Sequence, residues 1–486
     1  MLDANVNAGN QRVPLSEPVE TQSGALDRNR DDNCESRATV ASTVVGLSNN
    51  IVGAGILSLP WCFKQASIVE GTLLLVLVAG LSGLSLVLTA ICCDLSSCFS
   101  FRGMGEQALG RGFGVMIQAV MLVYTFFSCV SFMILAGNCF AGNRGIPQGL
   151  CGDSCDNWLV QLFETRFLTV LVLTVTLMGP LSFLRDLNAL RFTSLLSILG
   201  MLYLLCLLAF EYASATPENL PPKGDIHVLT LQQGIFEAAP IVNVAFIAHY
   251  NAPRFYQEMQ NRSIPKFAKA VAIATTMCGS VYIAVGILGY LRFGSKTASD
   301  VLKSFTSATA LPVVFGRLAM SGVVMFTFPL AFNAHRLSAG ALLKSWAPSF
   351  DLSRQSHFQL LTSVLLIALF IPGSELDNIG VVLDYKGAIL GGCIAFAFPA
   401  WIFLAIADPD SVRACAFKPT ALLQQQQQQQ STEAPLLPVL EPERDANADQ
   451  ALLNFWKPVS ICFFIYAIVS GVMGVVVTTE KLVENN

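Results

Sequence analysis

Two apolar stretches of the chain carry residues that an uninterrupted membrane helix would avoid. In the first, SNNIVGAGILSLPWCF, Gly53, Ala54 and Gly55 fall in mid-run and Pro60 follows. Glycine weakens a helix and exposes its backbone. In hydrocarbon an unpaired N–H or C=O costs several kcal/mol, so unwound backbone persists only where it is buried in protein or lines a polar hollow. In the second stretch, EAAPIVNVAFIAHYNAPRFYQEM, Pro240, Asn243, His249 and Pro253 punctuate the run. The N-terminus of a half-helix offers free N–H groups and a partial positive charge to a carboxylate, while freed carbonyls attract an ammonium group or a metal cation. One unwound stretch can therefore hold both charges of an α-amino acid, which makes Gly53, Ala54, Gly55, Asn243, Ala245 and His249 the candidate substrate contacts. The same glycines would also suit close packing of one helix on another. A histidine in such a run is more often simply hydrogen-bonded within the helix bundle than a proton-linked gate.

Oxygen donors flank the first break and recur later. Asn49 lies four residues before Gly53, and in VVMFTFPLAFNAHR the Thr327 hydroxyl precedes Pro329 by two residues. A hard cation such as Na+ takes oxygen ligands of this kind, although a threonine in a membrane helix ordinarily bonds its own i−4 carbonyl. Glu237 and Asp384 fall near the outer ends of their apolar runs and read as solvated interfacial charges. No HExxH, GxSxG or pair of intramembrane aspartates occurs at catalytic spacing, and the chain holds only 4 histidines, so neither an enzyme nor an organic cofactor is expected.

The elements that must hold these residues follow from composition. Hydrophobic residues make up 53% of the 486 positions and charged residues 13%, about half the usual ~25% for a soluble domain. A surface so poor in charge must face lipid, and the lipid bilayer is the first partner the sequence implies. The net charge of −4 carries no basic patch for nucleic acid, and nothing points to an obligate protein partner. Eleven segments have the length and apolarity to span: residues 41 to 63, 71 to 94, 113 to 141, 166 to 184, 192 to 212, 233 to 252, 267 to 291, 311 to 334, 357 to 373, 379 to 406 and 456 to 478. The two broken segments are thus the first and sixth, five spans apart. Interruptions at matching positions of two halves are the sequence mark of a transporter site between inverted repeats.

Positive charge in the connectors puts the N-terminus in the cytosol and the C-terminus outside or in an organelle lumen, and the polar first 40 residues, with no basic start leading into a short apolar run and cleavage site, imply that insertion begins at the first apolar segment. The resulting division is a disordered cytosolic tail at 1 to 40, a ten-helix core at 41 to 406 with repeats at 41 to 212 and 233 to 406, a cytosolic connector at 407 to 453, and a final span with short C-terminus at 454 to 486. The connector contains seven consecutive glutamines, Gln424 to Gln430, and is expected to be disordered. Most of the 14 cysteines lie in or beside apolar runs, where Cys behaves as a small hydrophobe. Cys151 and Cys155, in the polar CGDSC of an outer loop, are either a local disulfide or two free thiols.

The stretch LSNNIVGAGILSLPWCF resembles the first-helix signature of the amino acid/auxin permease family, nearest its sodium-coupled neutral amino acid transporter branch. GMGEQALGRGFG resembles the approach to that family's third helix, FIAHYNAPRFYQEM the inner half of its sixth, TFPLAFNAHR its eighth and GAILGGCIAFAFPAWIFL its tenth, so the likeness runs from about residue 40 to 480. The resemblance implies an all-α polytopic membrane protein with a leucine-transporter-type fold, two inverted five-helix repeats plus an eleventh span. It implies ion-coupled symport of neutral amino acids by alternating access, the first and sixth helices rocking against the rest. The coupling ion is Na+, linked in that branch to positions matching Asn49 and Thr327, or H+ as in other family members. The backbone of Gly53 to Gly55 would receive the substrate carboxylate. The membrane is the plasma membrane or an endolysosomal or vacuolar one. An amino-acid sensor that binds the same ligand at an endolysosomal membrane is the competing reading.

The only N-x-S/T sequon, Asn261-Arg262-Ser263, falls on the cytosolic side of this topology. The chain expressed in mammalian cells should therefore show no mobility change on glycosidase treatment, whereas a shift that disappears in Asn261→Gln would invert the topology.

Overall fold

The computed structural model describes residues 38–142, 145–151, 161–185, 191–216, 220–222, 225–230, 233–305, 310–407 and 446–484. Among them the chain is helical, apart from one isolated parallel bridge between Ala38 and Met259. Among the described residues eight helices are long and apolar enough to cross a membrane, and a ninth crossing results if the bent pair Val40–Ile51 and Gly55–Ala66, at 53° to each other, is taken as one span. The expected segments 166 to 184 and 233 to 252 fall below that length, because the first is a shorter apolar helix and the second is split in two.

The first segment comprises α1 (Val40–Ile51), a 3-10 turn (Ala54–Ser58) and α2 (Leu59–Ala66). Thr39 caps α1, its hydroxyl accepting from the Ser42 N–H at 3.2 Å, and Pro60 stands in the first turn of α2, where its missing N–H costs nothing. Next come α3 (Ile68–Ser96), the short α4 (Phe101–Leu109), α5 (Arg111–Phe140) and α6 (Ile146–Cys151). Then α7 (Arg166–Leu173) runs through a π-helical turn, Thr174–Met178, into α8 (Gly179–Ser182) and is followed by α9 (Arg191–Ala213). The second interrupted segment is α10 (Ile235–Ala245), a 3-10 turn (His249–Asn251) and α11 (Ala252–Glu258).

The remaining helices are α12 (Ile264–Phe293), α13 (Leu311–Trp346), α14 (Gln355–Glu375), α15 (Ile379–Tyr385) with two π-helical turns leading to α16 (Phe398–Ile406), and α17 (Ala446–Glu484). Residues 446 to 453, expected in the disordered connector, instead belong to α17. Their sequence, ANADQALL, is rich in helix formers and runs directly into the apolar span. The tail before residue 38, Cys155 and the glutamine run lie outside the described residues, and with them the Cys151–Cys155 disulfide.

The two interrupted segments occupy the interior. α2 packs on both α10 and α12, α1 packs on α12, and α10 is also covered by α17 and the π-helical turn Lys386–Gly391. Helix approach is close there: a Cβ on Gly387 would stand 2.1 Å from the Pro240 carbonyl oxygen, and one on Gly286 2.3 Å from the Phe63 ring. Outward-facing side chains such as Leu73, Val76, Leu360, Ile367 and Ile465 are exposed, as expected of surface turned to lipid.

Candidate functional site

The α-helical ladder of α1 ends where the Val52 N–H donates to the Ser48 carbonyl at 2.8 Å, and Gly53 is extended (φ −135°, ψ −161°) before the 3-10 turn begins. In the second segment α10 ends at Ala245, the Phe246 and Ile247 N–H groups fold back in 3-10 fashion onto Asn243 and Val244, and helix resumes at Ala252 with Pro253 in its first turn. Pro240 inside α10 removes one further ladder bond. Both interruptions strand carbonyls that regular helix would have paired.

The stranded carbonyls are met by side chains from three helices. The Tyr282 hydroxyl of α12 donates to the Ile51 carbonyl at 2.9 Å and lies 3.4 Å from the Ala245 carbonyl, so one phenol serves the last carbonyls of both half-helices. Ser82 of α3 donates to the Phe246 carbonyl at 2.9 Å. Asn50 joins the two breaks directly. Its amide donates to the Ala248 carbonyl at 3.3 Å, while its carbonyl oxygen accepts from the Tyr250 hydroxyl at 3.0 Å and from the Asn251 amide at 3.1 Å.

The expected site residues divide against this background. Gly55 is pressed on the second segment, since a Cβ there would lie 3.3 Å from Ala245 Cα, so Gly55 and Ala245 are where the two segments touch. Close packing accounts for Gly55. Gly53 differs, because a Cβ placed on it would meet nothing within 4 Å: its backbone borders open space. Ala54 lies between them at the start of the 3-10 turn. Asn243 is buried and its side-chain oxygen accepts from the Tyr466 hydroxyl of α17 at 2.9 Å. His249 is fully buried against Phe396, and neither ring nitrogen makes a hydrogen bond of ordinary geometry among the described residues, its approach to the Ser82 backbone falling outside that geometry.

Asn49 is buried with its side-chain oxygen lacking a hydrogen-bond partner among the described residues. That orphaned acceptor fits a cation, whose binding would satisfy it. Thr327 donates to its own Val323 carbonyl at 2.7 Å, which leaves the hydroxyl oxygen able to accept or ligate. Glu237 and Asp384, expected to be solvated, are instead buried at 5% and 7% exposure. Gln65 of α2 reaches Glu237, its amide donating at 2.6 Å, and a buried partner of that kind makes an unsolvated carboxylate tolerable.

Some residues escaped the sequence reading. Ser82, Asn50, Tyr282 and Tyr466 contribute through long-range contacts that no local pattern marks, whereas Lys386, a charged residue inside the apolar run 379 to 406 that makes none of the bonds above, carried a legible signal. It is buried at 6% exposure with its ammonium 4.6 Å from the centre of the Tyr124 ring. A separate polar cavity of about 280 Å³ lies at the C-terminal end of α5 and the N-terminal end of α13, lined by Asn138, Arg166, Asp300, Lys303, Arg317 and Asp377 among others. Burial pushes the Asp300 carboxyl above the usual range, against the Leu302 N–H, Lys303, Asn138 and Arg317, which favour its charge. None of the expected site residues lines that cavity.

The model of the family described as "Transmembrane amino acid transporter protein" matches residues 36–423. Among curated proteins, amino acid transporter AVT6B of Arabidopsis thaliana is 27% identical over 383 residues, covering 76% of this chain and 82% of that protein. Sodium-coupled neutral amino acid transporter 7 of Xenopus laevis is 29% identical over 370 residues, covering 74% and 79%. Among solved structures, Mhp1, a nucleobase-cation-symport-1 family transporter in a closed conformation with bromovinylhydantoin bound, superposes with a TM-score of 0.55 at 11% identity over 91% of this chain and 93% of that one. This last likeness is one of fold, an all-helical membrane transporter architecture.

Asn50→Ala strands the Ala248 carbonyl and frees Tyr250 and Asn251, and Tyr282→Phe leaves the Ile51 carbonyl without its donor. Each variant should lose about 1–3 kcal/mol of stability, read as a lower unfolding temperature in detergent, with Asn50→Ala the more damaged because it removes three bonds. Wild-type melting in Asn50→Ala would show that the two breaks are not held together there.

Proposed function

The chain belongs to the transmembrane amino acid transporter family, and from that premise we infer that it moves neutral amino acids across its membrane by cation-coupled symport, with alternating access to one central site. The observation that carries this reading is the direct junction of the two interrupted segments, Gly55 on Ala245 and Asn50 on Ala248, Tyr250 and Asn251. The open space beside the extended Gly53 backbone is where a substrate carboxylate would meet N–H groups at the start of the resumed helix, with Ala54 alongside. Asn243, Ala245 and His249 would form the opposite wall. The carbonyls of Ile51, Phe246 and Ala248 already have protein donors, but each carbonyl has a second lone pair with which to face an ammonium group.

Sodium is the favoured coupling ion. Asn49 and Thr327 would contribute oxygens to it, and the Xenopus laevis relative is named for sodium coupling. The finer architecture completes the reading: eleven spans, with 41 to 212 and 233 to 406 as inverted five-helix repeats and α17 as the eleventh, the N-terminus cytosolic and the C-terminus outside or lumenal. The halves of each broken segment would then rock against the scaffold in a plasma or endolysosomal membrane.

A sensor role has one observation in its favour. Ala38 is paired with the end of α11, its N–H donating to Glu258 at 2.8 Å and its carbonyl accepting from Gln260 at 2.9 Å, so the start of the described chain is tied to the end of the second interrupted segment. A partner bound at Ala38 would sense the state of that segment.

Purified protein in liposomes, given each of the twenty labelled protein amino acids with Na+ and pH gradients imposed separately, tests the choice. Concentrative uptake of neutral amino acids is expected, and Thr327→Ala should weaken its sodium stimulation by tenfold or more while inserting normally. Saturable binding without flux would transfer the protein to the sensor class, and unaltered sodium dependence in Thr327→Ala would remove that residue from the ion site.

A further inference from the structure

Lys386 has no part in the site as described above, yet its position is hard to explain by packing alone. It follows Ile379 by seven residues in the span Ile379–Ile406, which places it about 10 Å along the helix at 1.5 Å per residue. It opens a π-helical turn, Lys386–Gly391, a geometry concentrated at functional positions because it re-aims side chains and loosens the ladder. That turn is packed on the interrupted segment so tightly that a Cβ on Gly387 would meet both the Pro240 carbonyl and Val244. An ammonium group in such a place is expensive, and such residues ordinarily line ion or proton paths.

The groups around Lys386 are few. From α5 come the Tyr124 ring, under the ammonium at 4.6 Å, and the Cys129 thiol. From α10 the facing stretch Pro240–Val244 carries no charge, and Asn243 there is bonded to Tyr466 of α17. On its own helix Asp384 lies toward Cys62 of α2, Tyr385 bonds Thr479 of α17, and the second π-helical turn brings Cys393, whose thiol bonds the Ile389 carbonyl. Among the described residues no carboxylate forms an ion pair with Lys386. A path of contacts leads from it to the break: the Tyr124 ring lies 5.9 Å from that of Tyr250, and the Tyr250 hydroxyl donates to Asn50. Lysine, unlike arginine, is able to give up its proton in a buried site. A change of charge at Nζ would therefore act, through the Tyr124–Tyr250 ring pair, on the Tyr250–Asn50 bond that helps join the two interrupted segments.

We propose that Lys386 is a proton-binding site of the transport cycle, so that amino acid moves with a proton as well as with the sodium of the reading above, on which this inference rests. In the outward-facing state the Lys386 amine takes a proton from the outer aqueous phase, its lone pair forming the new N–H bond. After the switch that N–H bond breaks and the proton leaves to the inner phase.

The test uses the full chain in liposomes with equal sodium on both sides and, as probe, the labelled amino acid of highest flux. An acid-outside gradient of two pH units should raise initial uptake several-fold in the wild type, and a protonophore should abolish the increase. Exchange of internal unlabelled for external labelled substrate measures how much inserted protein is folded. Relative to exchange, the response to the gradient should fall at least tenfold in Lys386→Met and in Lys386→Arg. Lys386→His should keep a response, with its pH profile moved toward the imidazole range near ~6.5, which a purely structural role would not produce. A wild type that transports but ignores the gradient, or is accelerated by an alkaline exterior, overturns the inference, as does a Lys386→Met variant whose response matches wild type. Absence of all amino acid flux in the wild type would instead defeat the transporter reading itself.

Discussion

The structure depends on one constraint: a backbone polar group inside the bilayer must find a partner within the protein. Two segments abandon regular helix in the interior, and the cost is met from outside their own ladders. Tyr282 serves the carbonyl ends of α1 and α10 together, Ser82 serves Phe246, and Asn50 ties Ala248, Tyr250 and Asn251 to the first segment. These few bonds make the two interruptions a single unit rather than two independent defects. They also leave the extended Gly53 backbone beside open space.

The halves of the unit are attached to different parts of the molecule. On one side of the breaks, α2 and the 3-10 turn before it are bonded to the loop after α12, Ser58 donating to the Ser299 carbonyl at 2.6 Å and Lys64 to the Thr297 carbonyl at 3.3 Å, and Gln65 links α2 to Glu237 on α10. On the other side, Tyr256 of α11 donates to Asp94 of α3 at 2.5 Å, and Ala38 pairs with residues 258 and 260. Each break thus separates two halves whose attachments lie at opposite ends of the bundle. A hinge between two such halves can let one side loosen while the other holds, which is the mechanical requirement of alternating access.

Much of this was readable from residue order alone, for identifiable reasons. Apolar runs of membrane length fix most spans within a few residues, as 192 to 212 against Arg191–Ala213 shows, and glycine and proline in mid-run mark the interruptions at 53 and 246 to 251. What stayed hidden is set by helix phase and long-range packing. Asn49 and Asn50 are neighbours in sequence, yet 100° of helix rotation separates them, and only coordinates show that Asn50 crosses to the second break while the Asn49 oxygen stays without a partner. Tyr282 and Tyr466 look like ordinary membrane aromatics until their hydroxyls are traced. Glu237 was misplaced because a position near a span end suggests water, whereas Gln65 from another segment buries it.

Whether both segments are unwound in the working protein, and whether a ligand settles on that unwinding, is open to direct measurement by amide hydrogen exchange of the reconstituted full chain. With no ligand, peptides covering residues 52 to 56 and 246 to 250 should exchange far faster than the flanking α1 and α10. A saturating transported amino acid should slow both stretches together, leaving the lipid-facing helices unchanged. Uniform slow exchange through both segments, indifferent to any amino acid, would contradict the account.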